Sequence, residues 1–329
     1  MKLVLLGNYC KTAQDLLRSH LSTDWDVHAW EPAESDDDLK TVMGGAEAVV
    51  VGADALLSGR IFAAVQTPSL RLFQIPFSGH EWLQKSMIPE DCAACNIYTH
   101  GSTIAEYVMA SMLHFEVKLA EISADFKTGS WHYGGSAGVG ERHGELAGKT
   151  LGIVGYGDIG QGIAKRAHAF DMEVIATAST RRDAPAPLSW LGGADDLEEL
   201  LARSDYVVLA CPANAHTVGM MNKETLGKMK PDAVLINVAR GQVCVGEDLF
   251  TALKDGVIGG AVLDTWYQYP TPTNPNPKPS AFPFETLDNV VMTPHCSAWS
   301  EGQHQRRWVK VAENLDKLAN NEPLNHRIF

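Results

Sequence analysis

The sequence is short of positive charge. It sets 27 Lys and Arg against 40 Asp and Glu, and the net charge of −13 argues against a polyanionic partner such as nucleic acid. Long apolar runs are missing too: no window approaches the roughly 18 apolar residues of a membrane span, and the N-terminal MKLVLLGNYCKT holds only a short apolar stretch. A soluble, cytoplasmic chain is expected. Cysteine is sparse, with six in 329 residues, too few for a dense disulfide framework. Cys211, Cys244 and Cys296 lie in or beside apolar runs, as buried thiols do. Cys92 and Cys95 have redox-motif spacing, but nothing around them resembles a thioredoxin turn. The twelve histidines fall in no HExxH or comparable spacing, so no metal site is expected. No repeat of solenoid length is visible.

What the chain does have is a recurring pattern. Short apolar runs, each followed by a helix-like stretch, occur at 2–7, 48–54, 70–76, 150–157, 173–178, 206–212, 233–240, 260–264 and 289–295. Such runs read as parallel strands buried on both faces, hence a doubly wound α/β architecture. A chain of this length exceeds what one core usually supports. The first three runs define a smaller unit ending near residue 100, and the other six a larger one. IAEYVMASMLHFEVKLAEISADF (104–126) has helical spacing and is long enough to link them. RRWVKVAENLDKLANNEPL, after His295, carries apolar positions that need a surface to cover. It is expected to return to the first unit. The prediction is therefore two parallel-sheet domains, a Rossmann unit (101–296) inserted in a flavodoxin-like unit (1–100 with 297–329). The proline-rich YPTPTNPNPKPSAFPF (269–284) reads either as a stiff connector or as a lid over a site.

Gly155, Gly157 and Gly160, with Asp158 and Ile159 between them, follow an apolar run and open a helix-like stretch. That context makes GxGxxG a dinucleotide signal: the glycines permit a tight turn and close approach to a pyrophosphate at a helix N-terminus. The next strand normally ends in an acid that binds ribose hydroxyls. Here Ala178 stands there, followed by Ser179, Thr180, Arg181 and Arg182. These could bind a 2′-phosphate that a carboxylate would repel, so NADP(H) is favoured and NAD(H) possible. Solvated surface arginines would leave the preference loose. Arg240, Asp264 and His295 each follow an apolar run, and ligands of open α/β sheets sit beside those strand ends.

With these residues in place the chain resembles the D-isomer-specific 2-hydroxyacid dehydrogenases over nearly its whole length. The resemblance rests on HGSTIAEYV (100–108), ELAGKTLGIVGYGDIG (145–160), segment 217–245 with its NVARG, GAVLDTW (260–266) and TPHCSAW (294–299). It implies nicotinamide-dependent interconversion of a 2-hydroxy acid and a 2-oxo acid, usually in a homodimer, with the site in the cleft between the domains. It further implies that Arg240 holds the substrate carboxylate, that His295 is the general acid/base, and that Asp264 orients the nicotinamide amide. Phe77, Ser78 and Gly79 match a loop whose amides meet the carboxylate. Cys211, Pro212, Thr217, Val238 and Ala239 are cofactor contacts on the same basis.

The departure lies in DTWYQYP (264–270). Where the family usually has a glutamate that bonds to the histidine, this chain has Tyr269. A phenol can orient an imidazole but cannot stabilise imidazolium by charge. Tyr269 is therefore expected to orient His295, with Glu301 as another source of the charge. The family's formate dehydrogenases also carry a neutral residue there, so proton-independent formate chemistry is an alternative, although His100 stands where they have an asparagine. A nicotinamide-sensing binding protein is another. Phe77, His100, Tyr269 and Trp299 suggest a wide, aromatic pocket for a larger 2-oxo acid, unless those rings are simply core.

Overall fold

The structure, a computed structural model, describes residues 1–138, 140–271 and 274–329. Pro272 and Thr273 of the proline-rich segment lie outside the described residues. The chain divides into two units, Met1–Thr99 with Ser300–Phe329, and His100–Trp299.

The first unit is a five-stranded parallel sheet in the order β2-β1-β3-β4-β5, built from β1 (Lys2–Leu6), β2 (Asp26–Trp30), β3 (Ala48–Val51), β4 (Leu72–Gln74) and β5 (Ala93–Cys95). Helix Glu301–Ala319 covers one face. Its Trp308, Val311, Ala312 and Leu315 pack with Leu3, Leu5, Ala48, Val50 and Leu72 of the strands. Each Val or Leu buried in this way contributes about 1.5–3 kcal/mol. Ser300 caps the helix, accepting from Gln303 N at 3.2 Å. The fully buried Asn314 donates to Gln74 Oε1 at 2.8 Å and accepts from Asn325 N at 2.8 Å. A polar pair inside an apolar layer is tolerated only when satisfied, so it fixes the register of helix on sheet.

The second unit is a seven-stranded parallel sheet, order β12-β11-β10-β9-β6-β7-β8. Its strands are β6 (Thr150–Val154), β7 (Glu173–Thr177), β8 (Trp190–Gly192), β9 (Tyr206–Leu209), β10 (Val234–Asn237), β11 (Gly260–Leu263) and β12 (Val290–Met292). Both units are doubly wound, and every predicted apolar run contains a strand. The strands β2, β5 and β8, at sheet edges, were not among those runs.

The helix expected over 104–126 is two helices, Gly101–Val117 and Leu119–Lys127, broken where Lys118 adopts φ 52°. The left-handed conformation cannot continue an α-helix. Ile104, Ala105, Val108, Met109 and Met112 put the first helix in the core of the second unit. It packs closely on helix Asp158–Ala169: a Cβ on Gly162 would stand 2.7 Å from the Gly101 carbonyl oxygen. All six cysteines are free thiols; Cys244 is buried as expected, whereas Cys211 and Cys296 are only half-buried. No helix among the described residues is long and apolar enough to cross a membrane.

Candidate functional site

The turn between β6 and helix Asp158–Ala169 has the geometry of a phosphate cradle. Gly155 sits at φ 104°, where a Cβ would also meet the Ala210 carbonyl oxygen at 2.7 Å. A Cβ on Gly160 would stand 2.2 Å from the Gly155 carbonyl oxygen, so the third glycine lets the helix press against the turn. At Gly157, by contrast, a Cβ would meet nothing within 4 Å, and no side chain caps the helix there. Open space before uncapped helical amides suits a pyrophosphate. Asp158, the one acid of the first turn, accepts from Gly101 N at 3.2 Å, and Ile159 packs on the core.

At the end of β7, Ser179, Thr180, Arg181 and Arg182 are exposed. Arg181 pairs with Asp196 at 3.2 Å. The charge of Arg182 reaches Tyr156 of the glycine turn, where it opposes the larger effect of burial, which raises the phenol's pKa. Beyond β9, Thr217 Oγ1 donates to Pro212 O at 2.6 Å and closes the turn. Cys211 is pushed up to about 11 by burial. Val238 and Ala239 are 5% and 4% exposed, which leaves their backbone as the part able to meet a ligand.

Three strand ends carry the remaining chemistry. After β10, the buried Asn237 builds the turn that presents Arg240: its Oδ1 accepts from Ala239 N and its Nδ2 donates to Arg240 O, both at 3.0 Å. The Arg240 guanidinium donates to Ala239 O at 2.8 Å. Next comes Gly241, where a Cβ would lie 2.4 Å from the Trp266 carbonyl oxygen, so the turns after β10 and β11 touch backbone to backbone.

After β11, Asp264 is fully buried. Its Oδ1 accepts from Thr293 Oγ1 at 2.6 Å and Cys296 N at 2.8 Å, and its Oδ2 from Ser297 N at 3.0 Å. An ionised carboxylate can accept about four such bonds, and three are made within the protein. The carboxylate thus staples the loop that holds His295, itself at φ 57°. Sequence reasoning missed this tie and three residues in it, Thr293, Tyr107 and Trp266. Tyr107 bonds to Thr293 Oγ1 at 2.6 Å; because the Thr293 proton goes to Asp264, Tyr107 must be the donor. Trp266 Nε1 donates to Thr293 O at 2.8 Å. Tyr107 and Thr293 stand inside the AEY and TPH segments, which were the available signal.

His295 has its pKa lowered, first by burial and further by Arg240, while Asp264 pulls it up. The residue is otherwise exposed, so its desolvation is partial. The Tyr269 ring lies beside it, centroids 5.5 Å apart and planes tilted 53°. The Tyr269 hydroxyl accepts from Trp266 N at 3.0 Å. Burial raises its pKa further, so it is neutral at pH 7. Tyr269 therefore meets the imidazole as an uncharged ring.

Trp266, Tyr269, Met292 and Thr293 also line a cavity of about 420 Å³, together with Pro270, Pro275, Pro277 and Pro279. The proline-rich loop thus walls a pocket. Trp299 is 66% exposed and His100 7% exposed. Phe77, Ser78 and Gly79 belong to the first unit, in the loop after β4, as does Glu301, whose carboxylate accepts from Gln305 Nε2 at 2.9 Å.

Residues 109–297 match the sequence model described as D-isomer specific 2-hydroxyacid dehydrogenase, NAD binding domain. A glyoxylate reductase of Thermococcus gammatolerans is 30% identical over 94% of this chain and 90% of its own length. One of Pyrococcus furiosus is 42% identical over 52% of this chain and 48% of its own. The chain thus spans about half the length of several curated relatives it matches. A crystal structure of a D-isomer specific 2-hydroxyacid dehydrogenase family protein from Aeromonas salmonicida superposes with a TM-score of 0.83 at 25% identity, covering 100% of this chain and 98% of that one.

Proposed function

Because the chain belongs to the D-isomer-specific 2-hydroxyacid dehydrogenase family, we propose that it is a 2-oxo acid reductase that forms D-2-hydroxy acids with NADP(H), NAD(H) serving as a second carrier. The observation that carries this reading is that Arg240, Asp264 and His295 follow the carboxyl ends of β10, β11 and β12, adjacent parallel strands of one sheet.

A bound nicotinamide supplies the hydride. Arg240 donates paired hydrogen bonds to the substrate carboxylate and polarises the 2-oxo group, a task suited to a planar guanidinium. His295 gives its ring proton to the alkoxide that forms. Asp264 holds the histidine loop in place and, by family resemblance, orients the nicotinamide amide. Tyr269 adds no charge, so the imidazole loses its proton at a lower pH than a glutamate neighbour would allow. By family resemblance, the amides of the Phe77, Ser78 and Gly79 loop also meet the carboxylate.

The relatives named glyoxylate reductase support a small 2-oxo acid as a minimal substrate. The cavity beside Tyr269, with no charged side chain in its lining, supports acceptance of larger, uncharged side chains. The run of exposed residues after β7 supports NADP(H) over NAD(H). Leu119, Phe126 and Trp131, at 71%, 55% and 69% exposed, leave apolar surface that a second copy would cover, and light scattering on the purified protein tests that dimer.

The deciding experiment follows nicotinamide absorbance with 2-oxo acids from glyoxylate to phenylpyruvate, with NADPH and NADH in parallel and Arg240→Ala as control. Arginine-dependent oxidation of NADPH is expected. Formate is run in the oxidative direction because of the neutral Tyr269. Silence with every 2-oxo acid would overturn the proposal.

A further inference from the structure

The loop after β4 contains a clamp that the proposed function does not use. Asn96, just past β5 and 1% exposed, donates from Nδ2 to the Ser78 carbonyl oxygen at 2.8 Å. His80 Nδ1 lies 3.0 Å from the same oxygen. Two bare acceptors would repel each other at that distance, so Nδ1 carries its proton and donates. Its 3.2 Å approach to Asn96 Nδ2 is then a contact between two donors that share one acceptor. The carbonyl has two lone pairs, and both are taken.

The consequence follows from the peptide bond. The only cis bond among the described residues joins Ala186 and Pro187, so the peptide from Ser78 to Gly79 is trans and planar. In such a unit the C=O and the following N–H point in opposite directions. Fixing the Ser78 carbonyl toward Asn96 and His80 therefore aims the Gly79 N–H away from them. Among the described residues, neither Ser78 N–H nor Gly79 N–H donates to a protein group. Both residues are half-buried, so their amide donors face solvent, or a ligand that displaces it, rather than a protein acceptor.

We infer that Asn96 and His80 are positioning residues that aim the Gly79 amide at an anionic oxygen of the ligand, the carboxylate of the 2-oxo acid. This rests on the reading of the Phe77, Ser78 and Gly79 loop given under the proposed function. The two donors share one acceptor, so either alone still restrains the peptide. Losing both frees it to rotate.

The test compares His80→Ala, Asn96→Ala and the double variant in glyoxylate reduction, oxamate inhibition and NADPH binding. Each single variant is expected to raise KM and the oxamate inhibition constant about 3-fold, and the double variant about 30-fold or more. Loss of carboxylate binding alone should leave kcat within about 3-fold, with the NADPH dissociation constant unchanged. His80→Ala, on a half-buried loop, remains informative if Asn96→Ala unfolds. A folded double variant with unchanged KM and oxamate affinity would overturn the inference, as would loss of kcat and NADPH binding in parallel with KM. Wild-type silence toward glyoxylate would strike the proposed function first. Oxamate binding to the NADPH complex, measured by calorimetry, would then still report on the clamp, and absence of that binding would sink it.

Discussion

Replacing Tyr269 by glutamate should move the pH profile of reduction toward alkali. In the proposed reaction, reduction requires the protonated imidazole, and in the wild type burial, aided by Arg240 and opposed by Asp264, holds the pKa of His295 below its ordinary value. The rate constant kcat/KM for glyoxylate should therefore fall as pH rises through that lowered pKa, and oxidation of the hydroxy acid should gain over the same interval. A carboxylate at the 5.5 Å separation of the rings would attract an imidazolium by roughly 3 kcal/mol at an effective dielectric constant of about 20. That equals about 2 pKa units. Position 269 is 41% exposed, and solvent screening should reduce the shift to about 1 unit. Tyr269→Phe is the control. It keeps the ring and removes only the acceptor for Trp266 N, so its profile should stay in place while stability drops by about 1 kcal/mol. The assay is kcat/KM across pH 5 to 9 with saturating NADPH. A Tyr269→Glu profile that superimposes on the wild type would refute the argument, because no carboxylate at that distance could then be acting on the histidine.

Three further outcomes are expected. Asp264→Asn removes the charge that raises the pKa of His295 and turns an amide donor toward loop donors, so the profile should move to acid and thermal unfolding should show a loss of about 2–3 kcal/mol. Gly241→Ala drives a methyl into the Trp266 carbonyl; kcat/KM should fall about 10-fold or more, and a neutral substitution would mean that the two turns separate easily. Replacing Arg181 and Arg182 by alanine should raise KM for NADPH about 10-fold or more while leaving KM for NADH within about 2-fold. Equal rises for both would show that these arginines do not read a 2′-phosphate.

What the sequence conveyed depended on where each strand sits in its sheet. A parallel strand with neighbours on both sides has apolar residues on both faces and reads as a solid run, which is why β1, β3, β4, β6, β7, β9, β10 and β11 could be found. The strands not found are β2, β5 and β8, all sheet edges, whereas the fourth edge, β12, was found in the run at 289–295. β2 is DVHAW with only two of five residues buried, and β5 and β8 have three residues each, too few to show a period. For the site, Arg240, Asp264 and His295 were visible because strand ends mark them. The Asp264 staple was not, since a bond spanning 29 residues to Thr293 leaves no local pattern. Nor was the Ser78 clamp: Asn96 and Ser78 are 18 residues apart, and only the tertiary fold makes them neighbours.

Helix Glu301–Ala319 covers a face of the sheet whose last strand ended at Cys95. Between the two, the ribosome must make the 200 residues of His100–Trp299, which takes roughly 10 to 40 s at typical elongation rates of about 5–20 residues per second. For that interval Leu3, Leu5, Val50 and Leu72 have no cover. The contiguous unit can fold on emergence, whereas the discontinuous one must wait for its helix. Synthesis halted near residue 299 would therefore leave a sticky, chaperone-bound sheet attached to an already compact dinucleotide unit.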